Sequence, residues 1–211
     1  MLPLLLVFLL GAQAGKEYLG FDMTISWTFP EEDYVLFELA IPSSYREAFG
    51  WMGIALQDAR DARDSFSCDY YIAPMDTGLM TDRYAQANGF SLTDEDQGCA
   101  TNLDVSSEEV GNYLLIKFGR PLITGDRCDI PLYKDKPLMV KYAIGPMING
   151  NIEQHSFRFN GLEYIVLSEN YEDKNNDERF VYGPWMVQKW QNVKWYEEYG
   201  DPEPPGQTYP E

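Results

Sequence analysis

The chain contains a single imidazole, His155, so any acid–base step near neutral pH, and any ligation of a haem iron by histidine, must use that residue. If residues 155–159 are extended, His155, Phe157 and Phe159 share one face while Ser156 and Arg158 share the other. Turning the phenylalanines inward would then set the imidazole beside an apolar hollow. Trp51, Tyr142, Phe157 and Tyr164 are candidate walls, able to stack on a sugar ring or flank a flat macrocycle, with ordinary core packing as their alternative role. Two acidic groupings could offer oxygens to calcium: Asp58, Asp61, Asp64 and Asp69, and the run Asp94, Glu95, Asp96. Arg60 and Arg63 neutralise part of the first, which reads as a self-paired loop, and the second reads as a charged turn.

Catalytic patterns are sparse. The sequence has no Gly-x-Ser-x-Gly, no phosphate-cradling glycine loop and no histidine-rich metal pattern, so no enzyme activity is expected. With 34 Asp and Glu residues some carboxylates must lie close by chance, and a pair of them carries no glycosidase argument. Three cysteines and one histidine make a zinc site only if nearly all four converge. The formal net charge of -18 repels phosphate backbones and anionic headgroups, which excludes nucleic acid as a partner.

The elements that must position these residues are strands. From about Gly20 to Leu167 short runs alternate with period two between Gly, Pro, Asn and Asp turns. Val35, Phe37, Leu39 and Ile41 fall on one face, as do Leu114, Ile116 and Phe118. Leu138, Val140, Tyr142 and Ile144 alternate with Met139, Lys141 and Ala143, and Leu162, Tyr164 and Val166 with Glu163, Ile165 and Leu167. These last two runs are partly apolar on both faces, as in a strand covered on both sides. An all-β, antiparallel, immunoglobulin-like β-sandwich over residues 20–168 is the expected architecture.

Both ends differ from this core. Residues 1–14 are an apolar run closing on Ala12-Gln13-Ala14, the pattern of a secretory signal peptide, which implies an extracellular, oxidising destination with no membrane span after it. Residues 169–211 form an acidic linker and a Trp- and Pro-rich tail, in which Trp185, Trp190 and Trp195 either cover a sheet face or dock a partner chain. Three cysteines allow one bridge. Cys99 and Cys128, both in turn-like segments, are the favoured pair, which leaves Cys68 as a small buried hydrophobe or a link to another chain.

An ordered series of motifs accompanies the strands. It runs through Ile25-Ser26-Trp27, Gly50-Trp51-Met52-Gly53, Asp69-Tyr70-Tyr71-Ile72 and Thr81-Asp82-Arg83-Tyr84. Then come Gly119-Arg120-Pro121-Leu122, Thr124-Gly125-Asp126 with Asp129-Ile130, Tyr142-Ala143-Ile144-Gly145 and His155. In order and spacing this series resembles the DOMON domain, the β-sandwich of the dopamine β-monooxygenase group, with a haem-binding relative in the cytochrome domain of cellobiose dehydrogenase. The resemblance covers about Thr24 to Leu167. It implies a ligand-binding or interaction module, with haem or carbohydrate as ligand class. In the haem-binding relatives the late histidine, here His155, is one axial ligand and a methionine from an early loop is the other; residues 57–64 contain no methionine. The copper centres of the related monooxygenases lie in other domains. The expected function is therefore a secreted, non-catalytic binding module, with a b-type haem redox protein using His155, or an accessory subunit docking through the Trp-rich tail, as rivals. Within the motif series, Arg120 is expected to pair with Asp126 or Asp129 and close the turn that follows it.

Overall fold

The computed structural model describes residues 15–59, 68–85, 91–155 and 159–169. The signal-like segment, the tail with Trp185, Trp190 and Trp195, Phe157, and the loop carrying Arg60, Asp61, Arg63 and Asp64 lie outside the described residues.

Thirteen described strands form two antiparallel layers and one small hairpin. The first sheet is built from β1 (Gly15–Tyr18), β2 (Thr24–Glu31), β3 (Tyr34–Pro42), β8 (Asp104–Val110) and β9 (Tyr113–Pro121), in the order β1-β2-β3-β9-β8. The second contains β4 (Trp51–Asp58), β5 (Cys68–Pro74), β6 (Thr81–Ala85), β7 (Leu92–Thr93), β10 (Pro137–Gly145) and β13 (Asn160–Val166), in the order β13-β10-β4-β5-β6-β7. The strands β11 (Met147–Ile148) and β12 (Asn151–Ile152) pair with each other. This is the expected sandwich. It begins earlier than residue 20, because β1 pairs with β2 from Gly15 onward.

Local chemistry explains the connections. Ile148 and Asn151 are paired across Asn149 and Gly150, both at positive φ, which is the two-residue hairpin that Asn-Gly favours. Pro30 has no N–H to give the ladder, and the β2–β3 register shifts between Thr28 and Glu31.

The alternation read from the sequence becomes the interior. Val35, Phe37, Leu39 and Ile41 on β3 and Leu114, Ile116 and Phe118 on β9 meet Met52, Ile54, Leu56, Val140, Tyr142 and Ile144 of the opposing sheet, all buried. The two-faced apolar pattern also has its counterpart. On the other face of the second sheet Trp51, Ala55, Gln57, Ile72, Met139 and Val166 are buried as well. Residues 153–155 are not in a strand, and β13 starts only at Asn160, so the extended run proposed for 155–159 does not extend through its described ends.

Two aromatic rings lie flat on glycines of the neighbouring strand, where a side chain would collide. A Cβ on Gly145 would sit 2.6 Å from Trp51 Cε2, and one on Gly161 would sit 2.2 Å from Tyr142 Cζ. These are cross-strand pairs, Trp51 with Gly145 and Tyr142 with Gly161, in which the ring covers backbone that glycine leaves bare. Gly145→Val and Gly161→Val are each expected to destabilise the fold by about 1–3 kcal/mol through overpacking, measured as a lower urea midpoint with an unchanged slope.

Candidate functional site

Arg120 continues the inward phase of Leu114, Ile116 and Phe118 on β9, and its guanidinium is carried into the space between the sheets. From the other layer Asp69 and Tyr71 of β5 and Asp82 of β6 point to the same place, since Tyr71 pairs with Asp82 in register. Arg120 Nη1 donates to Asp69 Oδ2 and, at 2.5 Å, to the Tyr71 hydroxyl, which itself donates to Asp69 Oδ2 at 2.6 Å. Two more of its N–H groups go to backbone, Nη2 donating to Ile130 O at 3.0 Å and Nε to Pro121 O at 3.1 Å. Asp129 Oδ1 lies 3.7 Å from Nη1. Of the two acids expected to close the turn on Arg120, only Asp129 is near it. Asp126 instead accepts the backbone N–H groups of Ala100 and Cys128, at 2.9 Å each, which lower its pKa.

Burial dominates the electrostatics here. It pushes Asp69 up to about 8 against the attraction of Arg120, and pushes Asp82 up to about 6 and Asp94 up to about 7 with the help of neighbouring carboxylates. The Tyr71 hydroxyl is raised by burial and by Asp69. Burial would lower Arg120, but Tyr71, Asp69 and Asp129 outweigh it and hold the guanidinium above its usual value.

Cys99 and Cys128 form a disulfide, and Cys68 is buried without one. The bridge ties the turn after β7, which holds Asp94, to the turn after β9, which holds Asp129. Cys68 Sγ lies 3.3 Å from Lys141 Nζ and 3.7 Å from Gln57 Oε1.

The sequence-predicted ligand residues are only partly gathered. His155 is half-buried, edge-on to Trp51 with ring centroids 6.2 Å apart, and its Nδ1 lies 3.4 Å from Asn160 Nδ2. Trp51 is anchored by its Nε1 donating to Glu153 O at 2.9 Å. Tyr142 faces the interior instead, its hydroxyl accepting the Gly20 N–H at 2.8 Å. Tyr164 is on the outer face with Trp51, but its partner Met139 is six positions down β10 from Gly145, roughly 20 Å away. Phe159 packs on Phe21 and Phe49.

Met52, Met75 and Met80 belong to the interior core and Met139 is at the far end of β10, whereas Met147 of β11 lies against Gly50, next to Trp51. What the residues do offer is one histidine on an anchored aromatic wall. A separate groove of about 790 Å³ crosses the outer face of the five-stranded sheet, with Tyr18 and Tyr113 exposed along it and Lys16, Asp22, Ser26, Glu38 and Asn112 among its polar lining.

No family model matches the chain, and no curated protein matches it in sequence. Among solved structures the fold is similar to the cytochrome b domain of pyranose dehydrogenase from Coprinopsis cinerea, with 14% identity over 75% of this chain and 84% of that one and a TM-score of 0.51. The cytochrome domain of Myriococcum thermophilum cellobiose dehydrogenase matches with 14% identity over 79% of this chain and 82% of that one, at a TM-score of 0.46. At 14% identity the likeness to the first of these supports the sandwich fold.

The buried Arg120 cluster is the feature that sequence reading missed, although its signal was phase. Arg120 has the parity of three core residues, and Asp69 and Asp82 have the parity of Tyr71 and Tyr84. Arg120→Met strands Asp69 and the Tyr71 hydroxyl and is expected to cost roughly 3–5 kcal/mol, whereas Arg120→Met combined with Asp69→Leu recovers most of that loss. Chemical denaturation of the four proteins of the cycle measures both. Opening the Cys99–Cys128 bridge, whose partners are 29 residues apart, by Cys→Ala at both positions is expected to cost roughly 3–4 kcal/mol on the loop-entropy account, read by the same unfolding curves.

Proposed function

We propose that the protein is an exported, non-catalytic binding module of the DOMON type that takes a haem through His155. The placement of His155 against Trp51 carries this reading, because it puts the chain's one imidazole on a rigid aromatic wall at an end of the second sheet. The motif series from Ile25 to His155 and the fold shared with the pyranose dehydrogenase cytochrome b domain support it. The signal-like segment 1–14 supports export. Within the site His155 would hold the haem iron, Asn160 at its Nδ1 would orient the ring, and Trp51 would form the wall, held by Glu153 O and by the bare backbone of Gly145. A haem bound there would supply one-electron chemistry.

The groove on the first sheet favours a second reading, a carbohydrate site. Two exposed tyrosines flank polar side chains suited to hydroxyl groups, and the groove is on the layer remote from His155. Haem titration of the purified protein separates the two. A Soret band that appears at one equivalent and is lost in His155→Ala is expected for the haem module, and a colourless protein at saturating haem refutes it. If the groove binds sugar, tyrosine fluorescence changes with a soluble glycan, and Tyr18→Ala with Tyr113→Ala removes the change while leaving any Soret band intact.

A further inference from the structure

Three aspartates converge on Arg120 in the interior, and a fourth, Asp94, is near enough to feel the charge of two of them. Asp69, Asp82 and Asp129 each present one carboxylate oxygen, and these oxygens all lie within 4.8 Å of one another. Three oxygens at that spacing fit one coordination sphere of an ion whose bonds are 2.3–2.6 Å long. Their other oxygens are already engaged. Asp69 Oδ2 accepts from Arg120 and Tyr71, Asp82 Oδ2 accepts the Asn102 N–H at 3.3 Å, and Asp129 Oδ2 accepts from Asn102 Nδ2 at 2.9 Å. Oδ1 of each is buried and without a hydrogen-bond partner, Asp129 Oδ1 having Arg120 Nη1 at 3.7 Å as its neighbouring charge.

Asp94 supplies an independent observation. It is fully buried, both of its carboxylate oxygens lack any partner, and the charges it feels are those of Asp82, Asp129, Asp126 and Arg120. Its backbone is fixed beside the cluster by its N–H donating to Asp82 O at 3.1 Å and by its C=O accepting the Cys99 N–H at 2.8 Å. A buried carboxylate with neither oxygen satisfied is costly unless a proton or a cation neutralises it. Four of the five N–H donors of Arg120 go to Asp69, Tyr71 and two backbone carbonyls, and none of its hydrogen bonds reaches Asp94.

We propose that Asp69, Asp82, Asp94 and Asp129 bind one calcium ion inside the sandwich. The donor set is oxygen only, which suits a hard cation and not zinc or copper. Five carboxylate oxygens from four residues exceed the one or two carboxylates a protein usually gives magnesium, and leave one to three places for water or backbone. Two of the ligands stand on strands of the second sheet and two on the turns joined by the Cys99–Cys128 disulfide, so the ion links the sheet to both turns.

The test is thermal unfolding of the full chain after EDTA treatment, with calcium chloride or magnesium chloride added back, alongside titration with terbium, whose emission tyrosine sensitises. Calcium at a hundred times its Kd is expected to raise the Tm by about 5–10 °C, with a clearly smaller rise from magnesium at the same concentration. Asp82→Asn and Asp94→Asn keep the shape of the site and relieve repulsion. Each is expected to be at least as stable as the parent in EDTA, while losing the calcium shift and the terbium emission. An unchanged Tm in calcium overturns the proposal, and so does a shift of equal size in both asparagine variants, which would place the ion elsewhere on this acidic surface. None of these readouts depends on haem.

Discussion

A guanidinium buried between two β-sheets loses several kcal/mol of hydration, and the loss is recovered only if every donor finds a well-placed acceptor. In this protein Arg120 leaves β9 and finds Asp69 and Tyr71 on β5 together with the carbonyls of Pro121 and Ile130. The two layers are therefore joined by a directional contact as well as by oily surface. Tyr71 also stacks on Phe118, with centroids 5.0 Å apart, and Phe118 stacks on Phe37 at the same distance. The polar bridge thus runs directly into the apolar core. Hydrophobic packing tolerates small slips between layers, whereas a hydrogen-bonded fork does not.

The same arrangement concentrates negative charge around one guanidinium. Asp82 and Asp129 join Asp69 there, Asp94 is held beside Asp82 through its backbone, and the disulfide between Cys99 and Cys128 ties the turns that carry Asp94 and Asp129. Repulsion among these acids works against folding unless it is neutralised by protons or by a cation. Cross-linking the two turns reduces the entropy the unfolded chain can recover by letting them separate. A bridge at this position therefore offsets strain of electrostatic origin, and the placement of the chain's one disulfide among its described cysteines follows that need.

The opposite faces of the sheets have different characters, and this divides the candidate functions between them. The outer face of the second sheet is apolar, with Trp51 lying on Gly145 and His155 edge-on beside it. The outer face of the first carries a polar groove lined in part by Glu38, whose Oε2 lies 3.5 Å from Lys117 Nζ, itself 2.8 Å from Glu108 Oε1. Under the two proposed readings a flat apolar group would desolvate against the former and a hydroxyl-rich one against the latter. Trp51 and Tyr142 resemble each other in sequence as aromatic strand residues, yet one walls the outer face and the other fills the interior.

Period-two alternation was sufficient to read the two-layer architecture, since residues of one parity must leave water together: Val35 to Ile41 and Leu114 to Phe118 are core as their spacing requires. The Asn149-Gly150 turn was equally legible, because its backbone demands follow from residue type alone. Sequence could also narrow histidine chemistry to His155, as no other imidazole exists. Its neighbours were another matter. Tyr164 and Tyr142 looked like partners of Trp51, but strand register set one far along β13 and turned the other inward. The meeting of Arg120 with Asp69, Asp82, Asp94 and Asp129 joins residues up to 60 positions apart across two sheets and two turns, and local pattern holds no record of such distances. Only the stacking of the layers, where each buried charge must find its counterpart, decided which acids stand together.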